Sequence, residues 1–312
     1  MSATDPGLSS HESLSEKPET QVVEFPSFEQ EAERGWWFEV FRRLTKNKAA
    51  IFSLIFLLSL LVPAFFAPQL AEDPLQMHGD QLFQPPGPEH LLGTDQFGRD
   101  VLTRIVHGTK YSMQLGFISV SVAVIVGVPL GLVAGYYGRW LDATVMRLVD
   151  IMLAFPGILL ALVFVAILGP GLNNAIIAVG VAAVPVYTRL VRGSVLSAKN
   201  NDYVEAARAL GSNDTRILIR HLLPNIIGPV IVLATLGTAT AIISGASLSF
   251  LGLGAQPPTP EWGAMLNDGR AYLRAQWWIA TFPGVAILLT VLAINLLGDG
   301  LQDAMDPRRH RR

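Results

Sequence analysis

The sequence has no cysteine among its 312 residues, so it offers neither a disulfide framework nor a thiolate metal site. It is also poor in charge: 15% of its residues are Asp, Glu, Lys or Arg, whereas soluble domains carry about 25%. With 51% hydrophobic residues and a mean hydropathy of +0.41, the composition predicts an integral membrane protein. The net charge of −2 gives no reason to expect a nucleic-acid partner.

Motifs of catalysis and energy supply are missing as well. The chain has no Gly-Lys dipeptide and hence no Walker A loop for ATP phosphates. No H-E-x-x-H zinc motif occurs, and the run Gly245-Ala246-Ser247-Leu248-Ser249 lacks the last glycine of a nucleophile elbow. The interiors of the predicted spans hold no Asp, Glu, Lys, Arg or His, although carriers driven by an ion gradient usually have such a residue at membrane depth. We therefore expect no enzyme activity, metal or cofactor in this chain, and an energy source outside it.

Apolar runs of membrane-spanning length organise the rest of the chain. Two of them form a tight hairpin around the turn signal Gly169-Pro170-Gly171. Of the 23 Lys and Arg residues, 18 fall in segments on the side of the N-terminus and 5 on the other side. Because positive loops stay in the cytoplasm, both termini are predicted to be cytoplasmic. The six predicted spans are residues 49–71, 111–138, 151–168, 175–191, 226–250 and 275–298.

These spans divide the chain into four regions. Residues 1–40 are predicted to be a disordered cytoplasmic tail, since they are polar and lack the apolar core of a signal peptide. Residues 41–110 hold the first transmembrane helix and an extracytoplasmic segment. Residues 111–300 form the remaining transmembrane domain, and residues 301–312 a cytoplasmic C-terminal tail.

Two extracytoplasmic segments, 72–110 and 252–274, are candidates for contact with an external partner. In the first, apolar residues from Val101 to Val106 beside Arg99 and Arg104 predict an interfacial helix. An ordered lid without a partner is the alternative for both segments. The candidate contact residues are Arg99 and Asp100 in the first segment and Gln256, Pro257, Pro258 and Trp262 in the second.

The most informative stretch is the charged loop 199–225, KNNDYVEAARALGSNDTRILIRHLLPN, which lies between two long apolar runs. Apolar residues recur at helical spacing on either side of Gly211, which predicts two short amphipathic helices. Asn213 or Asp214 is expected to cap the second helix. Gly211 permits the left-handed geometry of a sharp helix exit, and Pro224 is expected to open the next span.

Within this loop, Glu205-Ala206-Ala207, Gly211 and Leu223-Pro224 resemble the EAA coupling loop of bacterial ABC-importer permeases. His221 departs from the family pattern, which usually has an aliphatic residue there. Further segments extend the resemblance over nearly all of the chain beyond its N-terminal tail, specifically to the C-type permeases of dipeptide and oligopeptide importers. They are LGTDQFGRDVLTRI, GYYGRWLDATVMRLVDIMLAFP, SFLGLGAQPPTPEWGAML and NLLGDGLQDAMDP.

The resemblance implies an all-α polytopic protein of the bacterial cytoplasmic membrane with the type I ABC-importer permease fold. It implies a heterodimer with a B-type permease, two cytoplasmic ABC ATPases that use ATP, an extracytoplasmic binding protein and a peptide substrate. A coupling helix at about Asp202–Leu210 would dock into an ATPase groove, with Glu205 making polar contacts and Ala206 and Ala207 packing against it. Gly211 would set the turn.

Three alternatives remain open. The first is the same kind of permease with a nickel chelate or another small solute as its cargo. The second is a stand-alone secondary carrier, which the absence of ionisable residues from the span interiors disfavours. The third is a membrane enzyme, for which the sequence provides no catalytic constellation.

Overall fold

The computed structural model describes residues 36–70 and 73–305, and their regular elements are helices. Met1–Glu39 and Val40–Arg312 separate as two units, and the first contributes only the start of helix α1 to the described residues. The first helices are α1 (Trp36–Leu44), α2 (Lys48–Leu70), α3 (Val101–Tyr137), α4 (Arg139–Leu153), α5 (Gly157–Leu168) and α6 (Leu172–Ala198). They are followed by α7 (Asp202–Ala209), α8 (Asp214–Arg216), a π-helix (Ile217–Leu222), α9 (Leu223–Phe250), α10 (Trp262–Gly269), a 3₁₀ turn (Arg270–Tyr272) and α11 (Trp278–Met305).

Five helices of the described residues are long and apolar enough to cross a membrane, and a sixth crossing requires a bent pair. That pair is α4 and α5, which meet at 94°. The predicted span 151–168 is thus not one continuous helix: α5 has only 12 residues, whereas a span needs about 20, so a crossing here needs α4 as well. The break occurs at Pro156, whose ring lacks an N–H and disfavours helical geometry in the residue before it.

Other predicted boundaries shift because the helices are longer than the apolar runs. The predicted interfacial helix at Val101–Val106 is the first part of α3, and Val101 and Ile105 are buried. Residues 36–40 belong to α1, not to a disordered tail, and α11 continues through Met305 into the predicted C-terminal tail. The rest of both predicted tails, 1–35 and 306–312, lies outside the described residues.

Helices α3 and α6 form the most extensive helix pair, and glycines bring them together. Gly127, Gly131 and Gly135 lie four residues apart on one face of α3. A Cβ atom at any of them would come within 3.0 Å of α6, for example 2.7 Å from Val191 Cβ at Gly131. Close approach of this kind lets backbones pack tightly in a membrane, where no hydrophobic force drives helices together. The pair therefore forms a rigid frame that runs to the charged loop.

Three apolar clusters follow one another along the helices. One joins α2, α10 and α11 to the start of α3 and the later half of α9. A second lies at the middle of α3, α6 and α9, together with α5. The third contains the last part of α3 and α6, the start of α9 and the apolar side of loop 199–225. The loop is thus part of the packed core of the protein.

Candidate coupling site

Helix α7 of loop 199–225 ends in a Schellman motif, as the sequence predicts for Gly211. Gly211 has φ of +77°, and its N–H donates to the carbonyl of Arg208 at 3.0 Å. The N–H of Ser212 donates to the carbonyl of Ala207, also at 3.0 Å. These two bonds satisfy carbonyl groups that a helix end otherwise leaves free. The geometry turns the chain sharply out of α7.

The second half of the loop differs from the prediction of a separate helix. Asn213 caps it as expected, because its Oδ1 accepts the N–H of Arg216 at 2.9 Å. From there the helix runs without interruption from Asp214 to Phe250, through the π-helical turn Ile217–Leu222. Pro224 is the second residue of α9, the span that it is expected to open, and the π-helical turn joins this span to Asp214 without a break. The wide turn before Pro224 accommodates a residue that has no N–H for the helical ladder.

The two sides of α7 have different surroundings. Val204 and Ala207 are buried against the third apolar cluster, which includes Ile217 and Leu222. The expectation that Ala207 packs against a partner is therefore wrong, since its side chain is enclosed by this chain's own helices. Glu205, by contrast, is exposed.

An apolar stripe remains on the exposed side of α7. It consists of Tyr203, Ala206 and Leu210, which follow one another at helical spacing. Leu210 is 87% exposed, more than any other large hydrophobic side chain among the described residues. The helical periodicity of the sequence groups Leu210 with the buried residues, and the structure does not. Leu210 is the C-cap residue of α7 and directly precedes Gly211, where the chain turns away from the helix. This position at the helix end is the sequence feature that separates Leu210 from the buried residues.

Ionic contacts hold the neighbouring helices in place at this end of the protein. Arg192 of α6 binds the carboxylate of Asp142 of α4 with two hydrogen bonds, of 2.5 and 2.6 Å. Arg189 of the same helix donates a single hydrogen bond of 2.5 Å to Asp150 of α4. Lys199 Nζ donates to the carbonyl of Gly135 at 2.9 Å, so the start of the loop is tied to the end of α3. The sequence does not predict these pairs, because their partners are 39 to 64 residues apart.

At the opposite end of the helices, a buried ion cluster explains part of the segment LGTDQFGRDVLTRI. Asp95 Oδ2 accepts Arg99 Nε at 2.6 Å and Arg104 Nη1 at 2.5 Å, and all three side chains are buried. Trp262 is fully buried and donates its indole N–H to the carbonyl of Ile105 at 3.0 Å. Contrary to expectation, Arg99 and Trp262 do not present their side chains to an external partner.

The other candidate contact residues remain accessible. Gln256, Pro257 and Pro258 are exposed, and contact between them and an external partner stays a prediction. Asp100 is half-buried and caps α3, because its Oδ2 accepts the N–H of Thr103 at 2.7 Å. Its other carboxylate oxygen lies 3.0 Å from Nδ1 of His90.

A second carboxylate, Glu261, is buried where α10 meets α3 and α9. Its oxygens accept the N–H groups of Gly263 and Ala264, both at 3.0 Å, and the hydroxyl of Ser112 at 3.2 Å. Burial raises the pKa of Glu261 above its ordinary value, and these hydrogen bonds oppose that shift only in part. Glu261 thus joins the segment after α9 to the middle helices.

A cavity of about 270 Å³ opens near the middle of α3, α6 and α9, beside the start of α5. Its walls are made of small and apolar side chains, with hydroxyl groups from Ser119, Tyr187, Thr240 and Ser244. No charged side chain of the described residues lines it. The cavity wall therefore presents hydroxyl groups and apolar surface.

Comparison with known proteins gives consistent matches over most of the chain. Residues 127–311 match the family model described as binding-protein-dependent transport system inner membrane component, and residues 35–86 match the N-terminal TM domain of oligopeptide transport permease C. The chain is 50% identical to the dipeptide transport system permease protein DppC of Alkalihalophilus pseudofirmus, covering 87% of this chain and 90% of that protein. It is 47% identical to the di/tripeptide transport system permease protein DppC of Pseudomonas aeruginosa, covering 86% and 91%.

A further relative is the glutathione transport system permease protein GsiD of Pectobacterium atrosepticum, at 45% identity over 92% of this chain and 96% of that protein. Among solved structures, the fold is similar to the inward-facing MetNI methionine ABC transporter. That match has a TM-score of 0.52 at 24% identity and covers 65% of this chain and 96% of the solved chain.

Proposed function

Because the chain belongs to the family of binding-protein-dependent transport system inner membrane components, we propose that it is the permease subunit of an ATP-driven importer of short peptides. The relatives are named for dipeptides, di- and tripeptides and glutathione, which share a small peptide character. In this proposal a B-type permease completes the path, two cytoplasmic ATPases supply energy and an extracytoplasmic binding protein delivers the peptide. In this proposal the ATP sites belong to the ATPases, which is in keeping with the lack of a Walker A loop in this sequence.

The exposed stripe of α7 carries the proposal. An apolar stripe in water is costly unless a partner covers it, and Leu210 is a compact side chain suited to a groove. Glu205 and Arg208 flank the stripe with charge and give the contact a polar rim. An ATPase groove that accepts Tyr203, Ala206 and Leu210 would therefore bind this face of α7.

The opposite face of α7 would turn docking into movement. Val204 and Ala207 are packed into the third apolar cluster, together with the ends of α3 and α6. A packed interior is close to incompressible, so a push on the exposed stripe passes to those helices. Closure of the ATPase dimer would then rock this permease against its partner between inward-facing and outward-facing states.

The proposed orientation places loop 199–225 and both termini in the cytoplasm. It is supported by the asymmetry of Lys and Arg along the sequence. Gln256, Pro257 and Pro258 then lie on the extracytoplasmic side, where a binding protein would dock. The mid-depth cavity would form part of the peptide path.

The cargo is separable from the coupling mechanism by a competition assay. Membrane vesicles that contain the whole importer should take up a labelled dipeptide, and an excess of unlabelled dipeptide should suppress the uptake. Suppression by a nickel chelate alone would instead favour the metal-chelate alternative and exclude the peptide.

The docking proposal is tested by Leu210→Ser. Without the exposed Leu210 side chain, the ATPase should dissociate from the permease during purification. The variant chain should still insert into the membrane, because Leu210 contributes little to the internal packing. Leu91→Ser is the matched control: Leu91 is 66% exposed and lies between α2 and α3, on the proposed external side. Wild-type recovery of the ATPase with Leu210→Ser, at equal expression, would overturn the proposal.

A further inference from the structure

A single hydroxyl group connects the end of α3 to loop 199–225. Tyr136, in the last turn of α3, donates its hydroxyl hydrogen to Asp214 Oδ1 at 2.7 Å. The Arg208 guanidinium lies near this hydroxyl and the Asp214 carboxylate, so that its positive charge interacts with both groups. We call this arrangement of Tyr136, Arg208 and Asp214 the loop clasp.

The clasp spans the turn that ends α7. Arg208 lies in α7 before Gly211, and Asp214 begins the following helix after it. Both residues are exposed, so neither is held by burial. The Tyr136 ring, in contrast, packs against the third apolar cluster and is half-buried. The hydrogen bond to Asp214 therefore ties the start of the following helix to a fixed point on the helical core, and the positive charge of Arg208 lies beside this contact.

That fixed point belongs to the rigid part of the molecule. Gly135, the residue before Tyr136, packs its Cα face against Val195 of α6 and accepts Lys199 Nζ through its carbonyl. Near the middle of α3, Ser119 and Val120 line the cavity of about 270 Å³ described above. One helix thus contacts the coupling loop at its end and the proposed peptide path at its middle.

We infer that Tyr136 is a positioning residue that makes α3 move together with α7. Each round of ATP hydrolysis is then used to move peptide. The inference rests on the proposed function of loop 199–225. Without the hydroxyl, α7 would still present its apolar stripe to the ATPase. The turn after it, however, would lose its tie to Tyr136, and the apolar packing of Val204 and Ala207 would transmit the movement to α3 less completely.

The test variant is Tyr136→Phe, which removes the hydroxyl and keeps the ring in the apolar cluster. In the complete importer, reconstituted in liposomes with its binding protein, ATP hydrolysis should continue while the peptide transported per ATP falls. A roughly three- to tenfold fall is expected, the ratio that one ordinary hydrogen bond sets between two conformations. A purely structural role would lower expression and both rates together and leave their ratio unchanged.

Tyr137→Phe is the matched control. Tyr137 stacks edge-on against Tyr136 with ring centroids 5.1 Å apart, is 45% exposed and lies outside the clasp. It should keep the wild-type ratio of peptide to ATP. Asp214→Ala should lower this ratio as Tyr136→Phe does, and combining the two changes should add little, because both remove the same contact.

The outcomes separate the clasp from the proposed function. If Leu210→Ser releases the ATPase but Tyr136→Phe keeps the wild-type ratio of peptide to ATP, the clasp inference is overturned and docking through α7 stands. Strictly additive losses in the double variant would also overturn it. If Leu210→Ser leaves the ATPase bound, the proposed function itself fails, whatever Tyr136→Phe does. A lower ratio for Tyr136→Phe with a normal ratio for Tyr137→Phe is the result we expect.

Discussion

Gly211 allows backbone geometry to be tested without changing any side-chain contact. Its φ of +77° lies in the left-handed region, and a Cβ atom added there would meet nothing within 4 Å. A substitution therefore acts through backbone strain and not through a clash. Residues with a Cβ pay about 1–2 kcal/mol for left-handed geometry, and β-branched residues fit it worst. A change of that size shifts the ratio of two conformations by roughly 5- to 30-fold.

The expected order of effect follows from the same strain. Gly211→Val should disturb the turn most and Gly211→Ala less, while Gly211→Asn should be mildest because asparagine tolerates the left-handed region. Gly193→Ala is the control: a Cβ atom at Gly193 would also meet nothing within 4 Å, but Gly193 lies within helix α6 and has no positive φ. It should behave as wild type, since alanine is favoured over glycine inside a helix.

The assay is uptake of a labelled dipeptide by membrane vesicles with matched amounts of each variant. Gly211→Val should reduce uptake at least about fivefold, and loaded binding protein should no longer stimulate ATP hydrolysis. Glu205→Ala should show a milder defect, because an exposed polar contact contributes little. Wild-type uptake by Gly211→Val, or a stronger defect for Gly211→Asn than for Gly211→Val, would refute the argument that this turn positions the coupling helix.

Two further predictions concern orientation and the buried carboxylate. Alkaline phosphatase fused after Arg312 should be inactive, as expected for a cytoplasmic C-terminus, whereas a fusion at Leu91 should be active; the reverse pattern would invert the topology. Because the folded state raises the pKa of Glu261, stability from this group is present at low pH and is lost as pH rises through its titration range. Glu261→Gln should therefore gain thermal stability relative to wild type as pH rises toward neutrality, and Glu261→Ala, which also lacks the cap, should be about 1 kcal/mol less stable than Glu261→Gln at every pH. An equal Glu261→Gln difference at every pH would contradict the assignment.

Much of the fold could be read from local patterns. The length of the apolar runs indicated the number of crossings, and glycine spacing placed the exit of α7 at Gly211, where the Schellman motif occurs. The cap at Asn213 was equally local, since it joins residues three apart. The bend between α4 and α5 was missed, although Pro156 marked it, because a run of apolar residues looks the same in a straight span and in a broken one.

The features of the candidate site likewise fall into those that local sequence predicts and those that depend on packing. The sequence alone determined a membrane protein with a charged loop, a helix ending at Gly211 and the family resemblance carried by that loop, because these depend on composition and on residues a few positions apart. The inward position of Ala207 and the outward position of Leu210 depend on helix packing, since periodicity identifies a face of a helix without saying what covers it. The tertiary structure also decided the pairing of Asp95 with Arg104 and of Tyr136 with Asp214. Such contacts form only when packing brings distant helices together, and no local pattern records which helix a side chain will meet.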